Sequence, residues 1–430
     1  MATTTQQSQN AQYQQAMQQY MAQQHEMMLR KQDLDFMRSL EKLMYCPVTG
    51  GSGASATYTP GTLYFDLPVA PSGFAKGLLI RYNLTVTPAT AGGATYAANA
   101  SAPWSIFSEA QIQYNGTQAR THPYAWKVLD QTKGFMRGQR NQVLAGNNDA
   151  TIAASIVGTT PVVANTGNSW IGSMYFPFNA ISDDSVPGIL PVSGAGTKGQ
   201  LKLTVPSTFL GNDPLLFPVS ATGGSSPSVA VTGTINVDMV YLDGSTMMGT
   251  SLLAPPPSVY GPTLQYSWEP QGAPFNPGTT PNRFILQSKM EHVYVISVII
   301  DGGQSTQFAT INNITNFELT GDPTGSQKLK SWNVANNIPI MDYFDRDVRR
   351  KIGQDLDPGV ILWVASPIRG TVDASNRLGN QTLNMYPGGY PTATLGVAVA
   401  STTTTNGYSP RVETFMISLN HQGLGLQQVS

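Results

Sequence analysis

A chain of 430 residues is long enough for about two or three domains, each able to bury a core of its own. Only 11% of the residues are charged, the net charge is −1 and there is one cysteine, Cys46. Those values exclude a whole-chain electrostatic footprint for nucleic acid, an intrachain disulfide framework and a multi-cysteine zinc site. Glycine (42) and proline (30) are abundant, which suits long turn-rich connections between strands. So little charge also suits a protein that hides much of its surface against neighbours.

The first ten residues, MATTTQQSQN, lack the basic flank and apolar stretch of a secretion signal. Apolar runs such as 292–300 are far shorter than the roughly 20 residues needed to cross a bilayer, so a soluble or peripheral chain is expected. Residues 1–24 contain ten glutamines and no charge. Tyr13, Met17, Tyr20, Met27 and Leu34 recur at spacings that share one helical face. Glu26 with Arg30, and Asp35 with Arg38, add i,i+4 and i,i+3 pairs. With Phe36, Leu40 and Leu43 continuing the stripe, the pattern predicts one long helix over about 10–44, followed by a flexible joint at 50–53.

A first β-unit follows. Strands are predicted at 62–67, 77–87, 106–115, 171–178, 200–205 and 234–242, because apolar residues alternate with polar ones. Leu78, Ile80, Tyr82, Leu84 and Val86 are the clearest such set, and Asn115-Gly116 is a favoured hairpin turn. One amphipathic helix is predicted at 123–135. The prolines at 255–257 make a stiff spacer. A second β-unit repeats the plan, with strands near 283–290, 293–301, 314–320, 359–364, 381–386 and 412–419. Its helix, 340–356, carries Met341, Phe344, Val348 and Ile352 on one face, with Arg346, Arg349, Arg350 and Lys351 mostly turned away.

The predicted fold class is therefore all-β: a pair of jelly-roll β-barrels, each with a short helix insertion, plus a long N-terminal α-helix. The expected domains are 1–56 (N-terminal helix and joint), 57–253 (first jelly roll), 254–261 (Pro-rich linker) and 262–430 (second jelly roll).

Motifs for chemistry are sparse. The run 194–199 matches G-x-G-x-x-G, yet Leu201, Leu203 and Val205 after it alternate as a strand, where nucleotide binding needs a helix. His25, His122, His292 and His421 fall in four separate elements without ligand-like spacing. Asp183-Asp184 are adjacent acids in a turn-rich loop, and Asp342, Asp345 and Asp347 suit the start of a helix. Cys46 has no nucleophile machinery beside it. No enzyme activity, metal or cofactor is expected.

The N-terminal segment reads differently. Seven of the 16 methionines lie in residues 1–44, and methionine adapts to irregular partners. Tyr13, Met17, Tyr20, Met27, Met28, Arg30, Lys31, Phe36, Arg38 and Leu40 are candidates for contact with a neighbouring subunit or anionic headgroups. In the second unit, Met341, Phe344, Val348, Arg349, Arg350 and Ile352 are candidate structural or interface residues of their helix.

Several passages carry a family resemblance. The run 348–360, VRRKIGQDLDPGV, resembles the helix-to-strand passage in the second barrel of tectivirus-type double jelly-roll major capsid proteins. Residues 174–179 (MYFPFN) with 200–203 (QLKL), and 110–115 with 120–130, resemble passages of the first barrel, and a Gln/Met-rich helix ahead of it also fits. The resemblance covers most of 1–365 in layout, while the loops 88–103, 138–168 and 207–230 have no counterpart in it. It implies two eight-stranded jelly-roll β-barrels side by side, trimers that form pseudo-hexagonal tiles, an icosahedral shell, often an internal membrane, and a virion location after assembly in the host cytoplasm. The implied partners are the chain itself, other virion proteins such as penton or membrane-associated proteins, and the underlying membrane, with no specific nucleic acid. A viral spike or receptor-binding protein and a secreted double jelly-roll glycan-acting enzyme are the alternatives.

Overall fold

The computed structural model describes helical positions between Gln14 and Gln24 and most of residues 40–125. It further describes 161–162, 167–177, 190–191, most of 199–243, 263–271, 282–285, 291–300, 314–320, most of 326–337, 360–364, 394–399 and 411–420. In chain order the strands of the first unit are Leu40–Tyr45 (β1), Ser55–Thr57 (β2), Gly61–Asp66 (β3), Phe74–Pro88 (β4), Thr95–Ala98 (β5), Glu109–Tyr114 (β6) and Thr117–Thr121 (β7). They continue as Pro161–Val162 (β8), Asn168–Pro177 (β9), Leu190–Pro191 (β10), Gln200–Val205 (β11), Val219–Thr222 (β12) and Val229–Asp243 (β13). The second unit has Thr263–Gln271 (β14), Asn282–Ile285 (β15), Glu291–Ile300 (β16), Ile314–Thr320 (β17), Lys328–Asn333 (β18), Val360–Val364 (β19), Thr394–Val399 (β20) and Arg411–Asn420 (β21).

All named strand pairs are antiparallel. One sheet of the first unit runs β1-β13-β4-β10, with β2 also on β13 and β9 also on β4; the other runs β3-β11-β6-β7. The second unit has β14-β21-β16-β19 and β15-β20-β17-β18. When β1 with β2, and β9 with β10, are each taken as one broken strand, both units pair their strands in the same order. That repeat is the structural counterpart of the repeated sequence plan.

Alternation determines which residues are enclosed. Leu78, Ile80, Tyr82, Leu84 and Val86 of β4 are buried, as are Ile235, Val237 and Met239 of β13 and Trp170, Met174 and Phe176 of β9. The register puts Ile80 between Val237 and Met174, so these apolar faces line up across three strands. The second sheet adds Phe65, Ala110, Ile112, Leu201, Leu203 and Val205. Each large side chain so enclosed contributes about 1.5–3 kcal/mol of transfer free energy. Gly233 of β13 is required by its backbone. Its φ is 149°, and a Cβ there would strike the Asn83 carbonyl oxygen on β4.

The three loops that the resemblance left unmatched come together. Strands β5, β8 and β12 lie within the β4–β6, β7–β9 and β11–β13 connections, and they form a separate sheet in the order β12-β5-β8. Asn99, fully buried beneath it, donates from Nδ2 to the carbonyls of Phe217 (2.6 Å) and Gly211 (3.3 Å). The Tyr58 hydroxyl donates to the Ile106 carbonyl. In the second unit Arg283 (β15) and Glu318 (β17) meet at 2.5 Å across β20. Gly396 stands between them in the register, so no side chain obstructs the Arg283 reach to the buried carboxylate.

Two expectations change. The helix predicted to 44 is overturned at its end, because Leu40–Tyr45 is strand β1, paired with β13 from Leu40↔Asp243 to Tyr45↔Asp238. The sheet contact outweighs the helical spacing of Phe36, Leu40 and Leu43, since strand pairing gives Met44 the buried side of the sheet and satisfies the backbone of β13. Residues 40–57 are thereby part of the first unit's sheet and no longer a joint alone. The helix predicted at 123–135 begins as expected, with Pro123, Tyr124 and Ala125 helical, and the rest lies outside the described residues. So do the helix 340–356 and the strand 381–386.

Candidate assembly surfaces

Among the candidate contact residues, Met17 and Tyr20 are described, both helical and exposed; Gln14, Gln18, Met21 and Gln24 are helical and exposed with them. Met17, Tyr20 and Met21 sit at i, i+3 and i+4, so they form one apolar stripe, 49%, 58% and 66% accessible. Leu40 is placed in β1, not in a helix. Tyr13, Met27, Met28, Arg30, Lys31, Phe36 and Arg38 lie outside the described residues, as do Met341, Phe344, Val348, Arg349, Arg350 and Ile352.

A second apolar surface went unrecognised in the sequence. Opposed residues of antiparallel strands point to the same side. The register therefore lines Tyr45, Asp238, Leu79 and Tyr175 across β1, β13, β4 and β9 on the face turned away from Ile80, Val237 and Met174. The next row holds Leu43, Val240 and Gly77. A Cβ at Gly77 would meet the Cζ and hydroxyl of Tyr175 at 2.8 Å, so that ring lies over the glycine. In these rows and the row beyond Tyr45 the charges are Arg81 and Asp238, joined at 2.5 Å, while Glu41 follows beyond Leu43 on β1, opposite Leu242. Leu43 and Tyr45, on the edge strand, remain 58% and 57% accessible. Their signal was alternation in LEKLMY, masked by a coincidence with helical spacing.

His122 marks a seam between the two units. Its Nδ1 accepts from the Tyr124 N–H at 3.0 Å, and Nε2 lies 2.8 Å from the Leu215 carbonyl oxygen. With Nδ1 accepting, the proton belongs on Nε2, which donates to Leu215. The buried ring packs 6.1 Å from that of Phe415 on β21. Its role here is to tie the 213–217 turn to the end of β7 and to touch the second unit, consistent with the structural reading of that histidine.

Chemistry is thin among the described residues. None of them forms a group of three or more His, Cys, Asp or Glu that could hold a metal ion, and none belongs to a helix long and apolar enough to cross a membrane. Gly199 leads directly into β11, as the rejection of a nucleotide loop required. Burial, reinforced by Asp238 and Asp66, pushes the Cys46 thiol up to about 12 and leaves it protonated at neutral pH. Asp183, Asp184, His25 and His421 lie outside the described residues, and His292 is placed only as part of β16.

No family model and no curated protein matches the chain. Solved structures do. The STIV MCP crystal structure superposes with a TM-score of 0.50 at 12% identity, covering 90% of this chain and 100% of that one. PBCV-1 VP54, fitted into a reconstruction of the virophage Sputnik, gives 0.52 at 10% identity over 88% of this chain and 93% of that one. A quasi-atomic model of the PBCV-1 virus capsid gives 0.50 at 11% identity, with coverage of 88% and 93%. At such identity the likeness concerns fold, and it runs through nearly the whole of both chains. Over 88–90% of its length the chain is therefore similar in fold to viral major capsid proteins, the group that its sequence passages resemble.

Proposed function

We propose that the chain is a major capsid protein that builds an icosahedral virion shell. Its two strand sets are read as two jelly-roll barrels side by side, 57–253 and 262–430, with β1 and β2 completing the first and 254–261 linking them. Three copies would present six barrels as a pseudo-hexagonal tile, and tiles would join above an internal membrane, assembled in the host cytoplasm. The observation that carries this reading is the likeness to capsid subunits over 88–90% of the chain. The repeated pairing order and the uncovered apolar surfaces support it. The N-terminal helix is assigned to the inner face, where Met17 and Tyr20, with Tyr13, Met27, Met28, Arg30, Lys31, Phe36 and Arg38, would meet neighbouring tiles or lipid headgroups. Permanent subunit contacts typically bury more than about 2,000 Å², so the trimer forms first and the lattice second. Light scattering after sizing should return a trimer at micromolar concentration, and negative-stain images should show hexagonal tiles or shells. A monodisperse monomer would overturn the assignment.

A further inference from the structure

We infer that the outer rows of the first unit, with Leu43, Tyr45, Leu79 and Tyr175, are the docking ledge for the N-terminal helix of a second copy of this chain. The inference rests on the shell-subunit reading above and names the partner surface that the reading leaves open. Both halves of the contact are present: the helical stripe is exposed, and the ledge is open at its edge-strand end, Leu43 and Tyr45, while Leu79 and Tyr175 are half-buried behind it. The helical stripe Met17, Tyr20 and Met21 is 49–66% accessible, and Leu43 and Tyr45 are 57–58% accessible. One copy therefore leaves open both the donor stripe and the acceptor ledge.

Charge matching points to the same occupant. Residues 1–24 carry no charge, and the cation and anion within the ledge rows, Arg81 and Asp238, are already joined at 2.5 Å, with Glu41 standing at the rim beyond Leu43. An uncharged helix can cover that pair without stranding an ion in a dry contact, whereas a charged partner would pay desolvation with no counter-ion to meet. Methionine and tyrosine on the helix, against tyrosine and leucine on the ledge, fit the helix-in-groove mode with adaptable anchors. Reach is sufficient. The segment from Gln24 to Leu40 spans at most about 55 Å when extended, so the helix can cross to an adjacent copy while tethered to its own β1. Donor and acceptor are different surfaces, so the contact is head-to-tail, and it closes a ring or continues through a lattice.

The chemistry of the chain favours a cross-linking test. Its one cysteine, Cys46, is fully buried and so stays out of the way of surface maleimides. Two full-length versions with different tags are co-expressed, one carrying Met21→Cys and the other Leu43→Cys, and the assembled material is treated with a short bis-maleimide. The expected product is a covalent dimer bearing both tags, with no such product when Tyr64→Cys replaces Leu43→Cys. Assembled particles without the mixed-tag dimer would overturn the docking ledge and leave the shell reading standing. So would a third version carrying both Met21→Cys and Leu43→Cys that links only within single chains. Failure of the unmodified chain to associate at all would overturn both readings. The double variant Leu43→Asp/Tyr45→Asp should keep its melting temperature and lower particle yield about tenfold or more. Undiminished yield from that variant would also overturn the ledge.

Discussion

Single positions constrain this chain most where backbone or space leaves one option. Gly233 combines a φ of 149° with a Cβ position already occupied by the Asn83 carbonyl. Gly233→Ala must therefore push β13 away from β4 or twist the strand, at a cost of about 2–4 kcal/mol. Chemical denaturation of the two proteins side by side measures this directly. Cys46, Tyr58 and Tyr82 share a second property: burial raises the pKa of all three, that of the thiol to about 12. A raised acid favours its neutral form in the fold. The stabilising contribution is complete below the unfolded value near 9–10 and is lost as pH climbs through the folded one. Thermal stability should thus be unaffected by these groups up to about pH 9 and decline toward pH 12. Iodoacetamide at pH 8, followed by intact mass, should leave Cys46 unmodified in the native protein and label it rapidly after denaturation.

At the scale of elements, β1 changes how the N-terminal segment must be cut. Removing residues 1–38 takes the N-terminal arm and spares every β1–β13 pair, so the proposed trimer should survive while closure of the proposed shell fails. Removing 1–45 strips the edge strand from β13 and uncovers that side of the core. The second truncation should melt at least about 5 °C below the first, since roughly 1 kcal/mol shifts the transition of a unit this size by 2–4 °C. Differential scanning calorimetry decides it. Much of the strand layout was legible because alternation in segments such as 77–87, 200–205 and 234–242 follows burial closely. Short strands such as β5, β8 and β12 were not, because their pairing depends on three loops distant in sequence. Leu40 and Leu43 were misread for a different reason: six residues can satisfy helical and strand periodicity together, and only the β13 register separates the two. The helical spacing of Met17 and Tyr20 was legible in the sequence, while the outer face of β4 and β9 was not, because it needs neighbouring strands to supply Leu79 and Tyr175.

The whole molecule turns on how two similar units are held to one another. One contact between them runs through His122, whose ring reaches Phe415 while both nitrogens are engaged in the first unit, and β7 also lies against β14. His122→Ala removes the Leu215 and Tyr124 hydrogen bonds and the ring packing together, costing about 2–4 kcal/mol. Because the lost contacts belong to both units, unfolding should become less cooperative, with the single transition of the parent splitting in calorimetry. His122→Asn, which restores an acceptor near Nδ1, should recover part of the loss. A parent that already melts in two separate steps would show that the seam does not couple the units.

The small sheet β12-β5-β8 has a practical corollary for engineering. Its middle strand anchors both flanks, so foreign sequence placed within 95–98 would unmoor all three connections at once. The turn after β12 is different: Gly223, Gly224 and Ser226 adopt positive φ at exposed positions and return the chain to β13. A peptide grafted at 223–226 would project from a braced platform without disturbing its pairing, which makes that turn the natural place to display a tag or an epitope.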